Sequence, residues 1–441
     1  MKKSLFALAA LSAMAGTAHA DVTLYGILDA GVAELTHAGN FSPTFVTGAV
    51  PTGVGNYYHS GTAVGMMNGG EKQTRWGIKG DEDLGDGNKA FFQLESAFSL
   101  GTGQLGTSGL SGAATNPTVL ANGKTPGYAM VADTSLNNQL FGRNAFIGLS
   151  NNEYGAITFG RQNSLELDII TTTAGGYDPV NAQMFSPINF SGFYGGGGAT
   201  DSARVDNAIK YAKEWGAVKL NAMYGLGGMT GSATTRSTGE FNLGYELNRF
   251  GVEFASQEAR DTTGIAQDST NGVVQATFFD LKSYTLALRY QVSNPLTLKA
   301  GYQYILKTGP SDVGALSQIT QLYGYTIVPL GAVGSTASIF TGGAQQTNVF
   351  WFGGNYQLTQ KWKLSAGFYD AVTKSENGVA PGADRYGSLL LDYDLSKRTN
   401  LYFGYMRDIK TGSATVVYTA TQGASPYETF DTIGGGLVVR F

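Results

Sequence analysis

The final fifteen residues, Tyr427 to Phe441, read YETFDTIGGGLVVRF and determine how the rest of the sequence is interpreted. Successive side chains of a β-strand point to opposite faces of a sheet. Here Leu437, Val439 and Phe441 share one apolar face, whereas the other face carries an arginine and small residues. A terminal strand leaves an open edge unless another strand pairs with it. We therefore predict that it pairs with the first strand, DVTLYGILDAGV from Asp21, and closes the sheet into a barrel.

The N-terminal stretch MKKSLFALAALSAMAGTAHA has the three parts of a secretory signal peptide. Two lysines give a positive head, Leu5–Ala15 is apolar, and Ala18-His19-Ala20 matches an A-x-A cleavage site. The apolar centre is too short to cross a bilayer. We predict that residues 1–20 are a signal peptide and that residues 21–441 form one domain, the barrel.

The composition is that of an exported chain with little charge and many aromatic residues. Charged residues make up 14% of the 441 residues, against the roughly 25% usual for soluble domains. There are 24 Tyr, 24 Phe and no Cys, so disulfides and thiolate metal sites are excluded, and we predict no cofactor. The net charge of −4 argues against a nucleic-acid partner, because nucleic-acid binders carry a basic excess.

No apolar run after residue 20 reaches the ~18 residues that a transmembrane helix requires. Backbone polar groups in lipid must be paired within the protein, so a membrane location requires a closed barrel. Sixteen segments of about ten residues alternate apolar and polar side chains as barrel strands do. They are Val22–Leu35, Lys72–Asp83, Asn88–Leu100, Gln139–Ser150, Gly155–Gln162, Arg204–Lys213, Gly216–Gly225, Ser237–Leu247, Phe250–Ala259, Leu281–Val292, Leu296–Lys307, Gln346–Leu358, Lys361–Thr373, Asp384–Leu395, Thr399–Ile409 and the closing stretch.

The connections between these segments alternate in length. Short turns follow every second segment, and long stretches rich in Gly, Ser and Thr separate the others. The long stretches are Thr36–Glu71, Gly101–Asn138, Asn163–Ala203, Arg260–Asp280 and Thr308–Gln345. Short turns on one side and long external loops on the other are typical of outer-membrane barrels. The predicted fold is therefore all-β, a 16-stranded antiparallel transmembrane β-barrel.

Several stretches resemble the Gram-negative general diffusion porins, particularly the trimeric porins of β-proteobacteria. The resemblance covers nearly all of the chain after residue 20, and the order of its pieces is specific. These pieces are Val22-Thr23-Leu24-Tyr25-Gly26, Arg75-Trp76-Gly77-Ile78-Lys79-Gly80, Phe92-Gln93-Leu94-Glu95, Arg143-Asn144-Ala145-Phe146-Ile147-Gly148-Leu149-Ser150, Gly160-Arg161-Gln162, Arg204-Val205-Asp206-Asn207-Ala208-Ile209-Lys210-Tyr211, Leu395-Ser396-Lys397-Arg398-Thr399 and the final Phe441.

The resemblance implies a water-filled channel in the Gram-negative outer membrane, passing ions and small hydrophilic solutes by passive diffusion. It implies a homotrimer in contact with outer-membrane lipids and lipopolysaccharide, with Gly101–Asn138 reaching a neighbouring subunit. It also implies that the third long loop, Asn163–Ala203, folds inward and narrows the channel. A sixteen-stranded barrel is wide enough to enclose such a channel.

The resemblance also implies the residues of the constriction. In the family, wall arginines face acids on the inward loop. The matching wall positions are Arg75, Arg143, Arg161 and Arg204. The matching loop acids are Glu166, Asp168, Asp178 and Asp201. We assign Arg75 and Arg143 to the polar faces of their strands, because an arginine facing lipid at the midplane would cost roughly 2–4 kcal/mol.

One departure from the family sets the expected ion preference. The family loop often contains Pro-Glu-Phe-Gly-Gly, which supplies an acid at the constriction. Here the region reads YDPVNAQMFSPINFSGFYGGGG, and no glutamate follows Pro179. With four wall arginines and fewer loop acids, we predict a modest preference for anions.

Three alternatives remain at this point: a substrate-selective channel, a surface adhesin or structural barrel, and an enzyme. The first shares the barrel, and the second would use the long loops to bind a partner. An enzyme is disfavoured because only His37 and His59 follow the predicted signal peptide, and no Ser/His/Asp or metal-ligand pattern accompanies them.

Overall fold

The computed structural model describes most of the chain after residue 20. The described residues are 21–36, 62–101, 103, 105, 109–110, 140–171, 176–186, 204–268, 273–314, 321–322, 325–326, 337–339, 344–374, 381–412 and 427–441. The predicted signal peptide, His37, His59, Asp201 and much of the predicted long loops lie outside these residues.

Sixteen long strands form one closed antiparallel sheet in which each strand pairs with the next and the last pairs with the first. We number them β1 (Asp21–Leu35), β2 (Arg75–Gly85), β3 (Asn88–Ala97), β4 (Asn144–Asn151), β5 (Gly155–Asn163), β6 (Arg204–Trp215), β7 (Val218–Gly225), β8 (Thr238–Leu247), β9 (Phe250–Asp268), β10 (Val273–Gln291), β11 (Leu296–Thr308), β12 (Gln345–Gln357), β13 (Trp362–Thr373), β14 (Gly382–Asp394), β15 (Thr399–Gly412) and β16 (Tyr427–Arg440). The predicted barrel and its strand number are confirmed.

The barrel closes where β1 meets β16. Their register runs from Ile27 opposite Arg440 to Leu35 opposite Thr432. Below this ladder Phe441 exchanges two backbone hydrogen bonds with Gly26, each 3.1 Å long. The predicted pairing of the two ends of the barrel domain is therefore present.

Side chains alternate between an apolar outer face and a mostly polar inner face. On β10, for example, Leu286 and Leu288 are exposed outside, whereas Thr285 and Ala287 are buried inside. Exposed aromatic residues gather at the short-turn end of the outer face: Tyr154, Trp215, Tyr245, Phe250, Tyr290, Tyr356, Trp362 and Phe441. An apolar band with an aromatic girdle is how a barrel contacts lipid. Among the described residues, no helix has the length and apolar character needed to cross a membrane.

Seven short turns lie at one end of the barrel, the same end as Asp21 and Phe441. They comprise residues 86–87, 152–154, 216–217, 248–249, 292–295, 358–361 and 395–398. We call this the turn end and the opposite end the loop end. The predicted alternation of short and long connections is present for the connections with described bounds.

One predicted loop is wrong. The stretch 260–280 is mostly strand, because β9 continues to Asp268 and β10 starts at Val273. The register shifts between Ala259 and Thr262, where Asp261 adopts a positive φ of 49°. The polar sequence of this stretch is typical of a loop. Its strands are held by backbone hydrogen bonds, which need no apolar side chains, and they extend beyond the part of the barrel in which apolar and polar side chains alternate.

An inward bulge, residues 69–74, interrupts the chain before β2. The short strand Ala63–Asn68 pairs with β1 up to Ala30, and β2 resumes the pairing at Ile27. Six residues are thus inserted opposite two of β1, so the predicted strand start at Lys72 is wrong. The buried Asp29 carboxylate caps the bulge by accepting the N–H groups of residues 71 and 72 at 2.8 and 2.6 Å.

Candidate functional site

The connection after β5 turns into the barrel interior. We call its described part, residues 164–171 and 176–186, the inward loop. The Ser164 hydroxyl accepts the Leu167 N–H at 3.1 Å and caps the helix α1 (Leu165–Thr171). Glu166 in its first turn is fully buried and accepts three hydrogen bonds of 2.8 to 3.2 Å from the inner wall. The donors are Ser283, Thr285 and Gln303 on β10 and β11.

Asp178 fixes the next part of the inward loop. Its fully buried carboxylate accepts hydrogen bonds from the Tyr369 hydroxyl at 2.5 Å, from the Val180 N–H at 3.1 Å and from the Ser186 hydroxyl. Carbonyl groups of the same turn accept hydrogen bonds from Trp351, Lys299 and Asn355. Asp178 thus anchors the loop to β13, and its predicted place at the constriction stays a prediction.

Tyr177 lies beside this anchor and is fully buried. The Arg289 guanidinium carbon lies 5.8 Å from the centroid of its ring. Burial, reinforced by the Glu253 carboxylate, raises the pKa of the Tyr177 hydroxyl to about 12. Tyr177 therefore stays neutral at physiological pH and adds no negative charge to the loop.

The tip of the inward loop is attached to the inward bulge. Two backbone hydrogen bonds of 2.9 Å join residues 183–184 to residues 70–71. Lys72 Nζ donates a third hydrogen bond, 2.6 Å long, to the Asn181 carbonyl. The inward bulge therefore joins the inward loop to the chain between β1 and β2.

Phe185 completes the attachment on β15. Its ring meets the Tyr402 ring edge-on, with centroids 6.5 Å apart. A Cβ atom on Gly404 would lie 2.6 Å from the Phe185 ring, so this close approach requires glycine. The Ser388 hydroxyl donates to the Phe185 carbonyl. Contacts of the inward loop thus run along the inner wall from β6 round to β15.

The remaining arc of the wall carries two of the predicted arginines on one carboxylate. Arg75 Nε lies 3.2 Å from Glu95 Oε2, and Arg143 Nε lies 2.5 Å from Glu95 Oε1. The Tyr25 hydroxyl donates to Glu95 Oε2 at 3.0 Å. Arg204, at the start of β6, is close enough to interact electrostatically with Glu95. We call Arg75, Arg143, Arg204 and Glu95 the arginine cluster.

Arg143 reaches this cluster for a reason other than the predicted alternation. Ile147 and Leu149 of β4 have the same parity as Arg143 and are exposed on the outer face. Strand alternation alone would therefore point Arg143 at lipid. β4 begins only at Asn144, and Arg143 lies in the preceding turn with its N–H bonded to the Glu95 carbonyl at 3.1 Å. The side chain is thus free to turn inward.

Arg161 is bound to partners other than Glu95. It is buried, and it donates to the Gly142 carbonyl at 2.7 Å and to the Asp206 carboxylate at 2.5 Å. The register between β5 and β6 shifts next to it, between Gly160 and Gln162. Of the four predicted wall arginines, the structure brings three together and gives Arg161 its own carboxylate.

Asp168 forms an ion pair with Lys210 of β6 at 2.6 Å and accepts a hydrogen bond from Asn163 at 3.1 Å. The acids of the inward loop are therefore bound by cations or hydroxyl groups of the wall. Their predicted contribution to the potential at the constriction stays a prediction.

Sequence reasoning missed Glu95 and Lys72 as parts of the site. Glu95 could have been found, because it alternates with Leu94 on β3 and so faces the lumen. Lys72 could not, because alternation places it on a strand, whereas it lies in the inward bulge.

The arginine cluster sets three cations against one carboxylate. An arginine about 6 Å from a passing anion in water lowers its energy by about 0.7 kcal/mol, which is roughly threefold in local concentration. Such a cluster biases the ions that pass without holding them tightly. Among the described residues, no group of three or more His, Asp or Glu side chains could hold a metal ion.

Comparison with known proteins agrees with this barrel fold. The family model for Gram-negative porins matches residues 7–413. The chain belongs to the Gram-negative porin family. An outer membrane porin protein of Bordetella pertussis is 28% identical over 326 residues, or 74% of this porin and 65% of the relative. This porin thus matches slightly less than two thirds of that relative's length.

Solved structures share the fold of this porin. The anion-selective porin from Comamonas acidovorans superposes with a TM-score of 0.57 at 16% identity, covering 96% of this porin and all of that chain. OmpT of Vibrio cholerae in its trimer form gives 0.56 at 13% identity, covering 96% and 99% of the two chains. The family and its outer-membrane relatives place this porin in the Gram-negative outer membrane.

Proposed function

We propose that this porin forms a water-filled channel for passive diffusion of ions and small hydrophilic solutes across the outer membrane. The observation that supports this most directly is the inward loop, which lies inside a closed sixteen-stranded barrel and is bonded to its wall. A barrel of this size encloses an aqueous channel, and an internal loop narrows that channel instead of sealing it.

The channel has a modest preference for anions. Arg75 and Arg143 form ion pairs with Glu95 and Arg204 interacts with it electrostatically, whereas the described loop acids are bound by wall side chains. The anion-selective porin from Comamonas acidovorans has the same fold, which is consistent with this preference. Reversal potentials across a KCl gradient test it: we expect chloride to be preferred, and a potassium preference would overturn it.

The porin assembles as a homotrimer. This is supported by the porin resemblance and by OmpT, which was solved in a trimer form. Electrophoresis of unheated and boiled samples tests it, with a slow unheated band of about three times the monomer mass expected. A single monomer mobility, with native mass spectrometry in agreement, would refute the trimer.

Planar-bilayer recording tests the channel itself. We expect stepwise conductance increments that rise in proportion to salt concentration, as a water-filled diffusion channel gives. A folded barrel without conductance would favour the adhesin or structural alternative. Saturable block by one organic solute would favour a substrate-selective channel.

A further inference from the structure

A second group of charged side chains lies in the lumen at the turn end of β13 to β16. Lys363 Nζ lies 2.8 Å from Asp392 Oδ2, and Arg440 Nη2 lies 3.6 Å from Glu71 Oε1. Lys72 Nζ is 4.0 Å from the same Glu71 oxygen. We call these five residues the turn-side cluster. It contains three cations and two carboxylates and shares no residue with the arginine cluster.

The charges of the turn-side cluster are layered. The Lys363 and Arg440 side chains are 41% and 34% exposed, and that of Lys72 is 28% exposed. The carboxylates of Asp392 and Glu71 are only 4% and 5% exposed. The three cations are therefore more exposed to the lumen than Asp392 and Glu71, and the exposed Asp394, two residues further along β14, also interacts electrostatically with Lys363.

Only some ion pairs in the described part of the barrel have this arrangement, with the cation more exposed than the carboxylate. Lys219 and Glu253 repeat it, at 25% and 3% exposed. Arg289 and Glu246 reverse it, with the carboxylate the more exposed partner. The turn-side cluster is distinguished by bringing three cations to one patch, where Lys72 and Lys363 interact electrostatically.

The turn-side cluster adjoins the arginine cluster. Ile27 of β1 lies opposite Arg75 of β2 on one side and opposite Arg440 of β16 on the other. Two strand spacings, roughly 10 Å, therefore separate the backbones of the two arginines. They are close enough to interact electrostatically. An anion that leaves the arginine cluster toward the turn end thus meets a second positive patch.

We propose that the turn-side cluster is a binding station for a small divalent oxyanion of the sulfate or phosphate class. Arginine offers a planar fork of donors to oxyanions, and lysine offers a compact charge with three donors. The buried carboxylates hold the cations in place, and among these five residues the positive charges outnumber the negative charges by one. The proposal rests on the proposed function, because the ion must reach the cluster through the lumen.

The test is sulfate block of the chloride current in planar bilayers at low ionic strength, with potassium sulfate added to one compartment at a time. Wild-type porin is expected to show saturable block. Removing one unit charge about 6 Å from the ion weakens binding roughly tenfold for a dianion and threefold for chloride. Lys363→Gln should therefore raise the half-blocking sulfate concentration about tenfold.

Lys361→Gln is the matched control, because Lys361 is an exposed lysine in the adjacent turn, over the Tyr393 ring. It should leave the block unchanged, and Lys363→Arg should preserve it. The double variant Lys363→Gln/Asp392→Asn removes the pair without leaving a buried unpaired carboxylate, and should weaken the block less than Lys363→Gln, because the net charge of the cluster is unchanged.

The outcomes separate the two proposals. Chloride current without sulfate block, or with equal block in Lys363→Gln and Lys361→Gln, overturns the binding station and leaves the channel intact. A folded porin that passes no current overturns the channel and the station together.

Discussion

Gly26 and Phe441 join the two ends of the barrel sheet. Each donates its N–H to the carbonyl of the other at 3.1 Å, and the Phe441 ring covers Gly26 on the outer face. A Cβ atom on Gly26 would lie 2.4 Å from the ring and 2.8 Å from the Arg75 carbonyl oxygen. The absence of a side chain at Gly26 therefore leaves room for the Phe441 ring against the seam, the junction of β1 and β16.

Gly26→Ala is expected to destabilise the closed barrel, because the ring and the neighbouring backbone must both move. Overpacking of this kind costs about 1–3 kcal/mol. The measurement is the temperature at which the folded band is lost in electrophoresis without boiling. Gly387→Ala is the matched control, since a Cβ there meets nothing within 4 Å. Equal melting temperatures for the two variants would contradict the seam argument.

Glu95→Gln is expected to strengthen the anion preference. The change leaves Arg75 and Arg143 without their shared carboxylate, so the constriction gains one positive charge. The permeability ratio of chloride to potassium should rise about tenfold, because removing the charge changes the local concentration of each ion about threefold and in opposite directions. Reversal potentials give the ratio directly. Asp81→Asn, which removes an exposed acid near the β2–β3 turn, should change it little.

Arg75→Gln/Arg143→Gln is expected to act in the opposite direction and shift the channel toward cations, because Glu95 keeps its charge. The triple variant that also carries Glu95→Gln should return about half of the way to wild type, because it recovers one of the two units of net positive charge that the double variant loses. Reversal potentials measure all three. Arg398→Gln, in an exposed turn, serves as the control for loss of an arginine. A double variant that stayed as anion-preferring as wild type would show that these arginines do not set the preference.

Asp178→Ala is expected to loosen the inward loop without opening the barrel. The carboxylate accepts three hydrogen bonds, and bonds to charged groups contribute about 1.5–3 kcal/mol each. Single-channel records should show more open-state noise and added conductance levels, while the heat resistance of the folded band is retained.

Tyr369→Phe removes one of these hydrogen bonds and should give a weaker form of the same noise. Tyr405→Phe is its control, because that hydroxyl bonds Asp431 on the outer face. Quiet records from Asp178→Ala would mean that the other wall contacts suffice to hold the loop.

Alternation along the strands was enough to predict the barrel. The buried Thr432 and Val438 and the exposed Ile433 and Leu437 lie on the faces that a period of two assigns to them. Pairing of the first and last strands follows, because in lipid the backbone groups at the two edges of a sheet are satisfied only when those edges pair. The fold could therefore be predicted from a local pattern, the alternation of apolar and polar side chains.

The functional site was harder to predict from the sequence because two of its key residues do not follow the strand alternation. Arg143 precedes its strand, and Lys72 belongs to a bulge, so neither obeys alternation. Glu95 obeys it, but its partnership with two arginines depends on tertiary contacts between β2, β3 and the turn before β4. Asp178 was expected at the constriction, and its hydroxyl partner lies 191 residues away along the chain.

The contacts that hold the inward loop also link the width of the pore to the assembly of the barrel. Asp29, near the start of the chain, accepts the hydroxyl of Tyr402 at 2.7 Å, and Phe185 packs on the same tyrosine. β15 is among the last strands to leave the ribosome. A barrel without β15 therefore lacks the last contacts of the inward loop, those with Tyr402 and Gly404, and the final position of Phe185 is acquired only when that strand is in place.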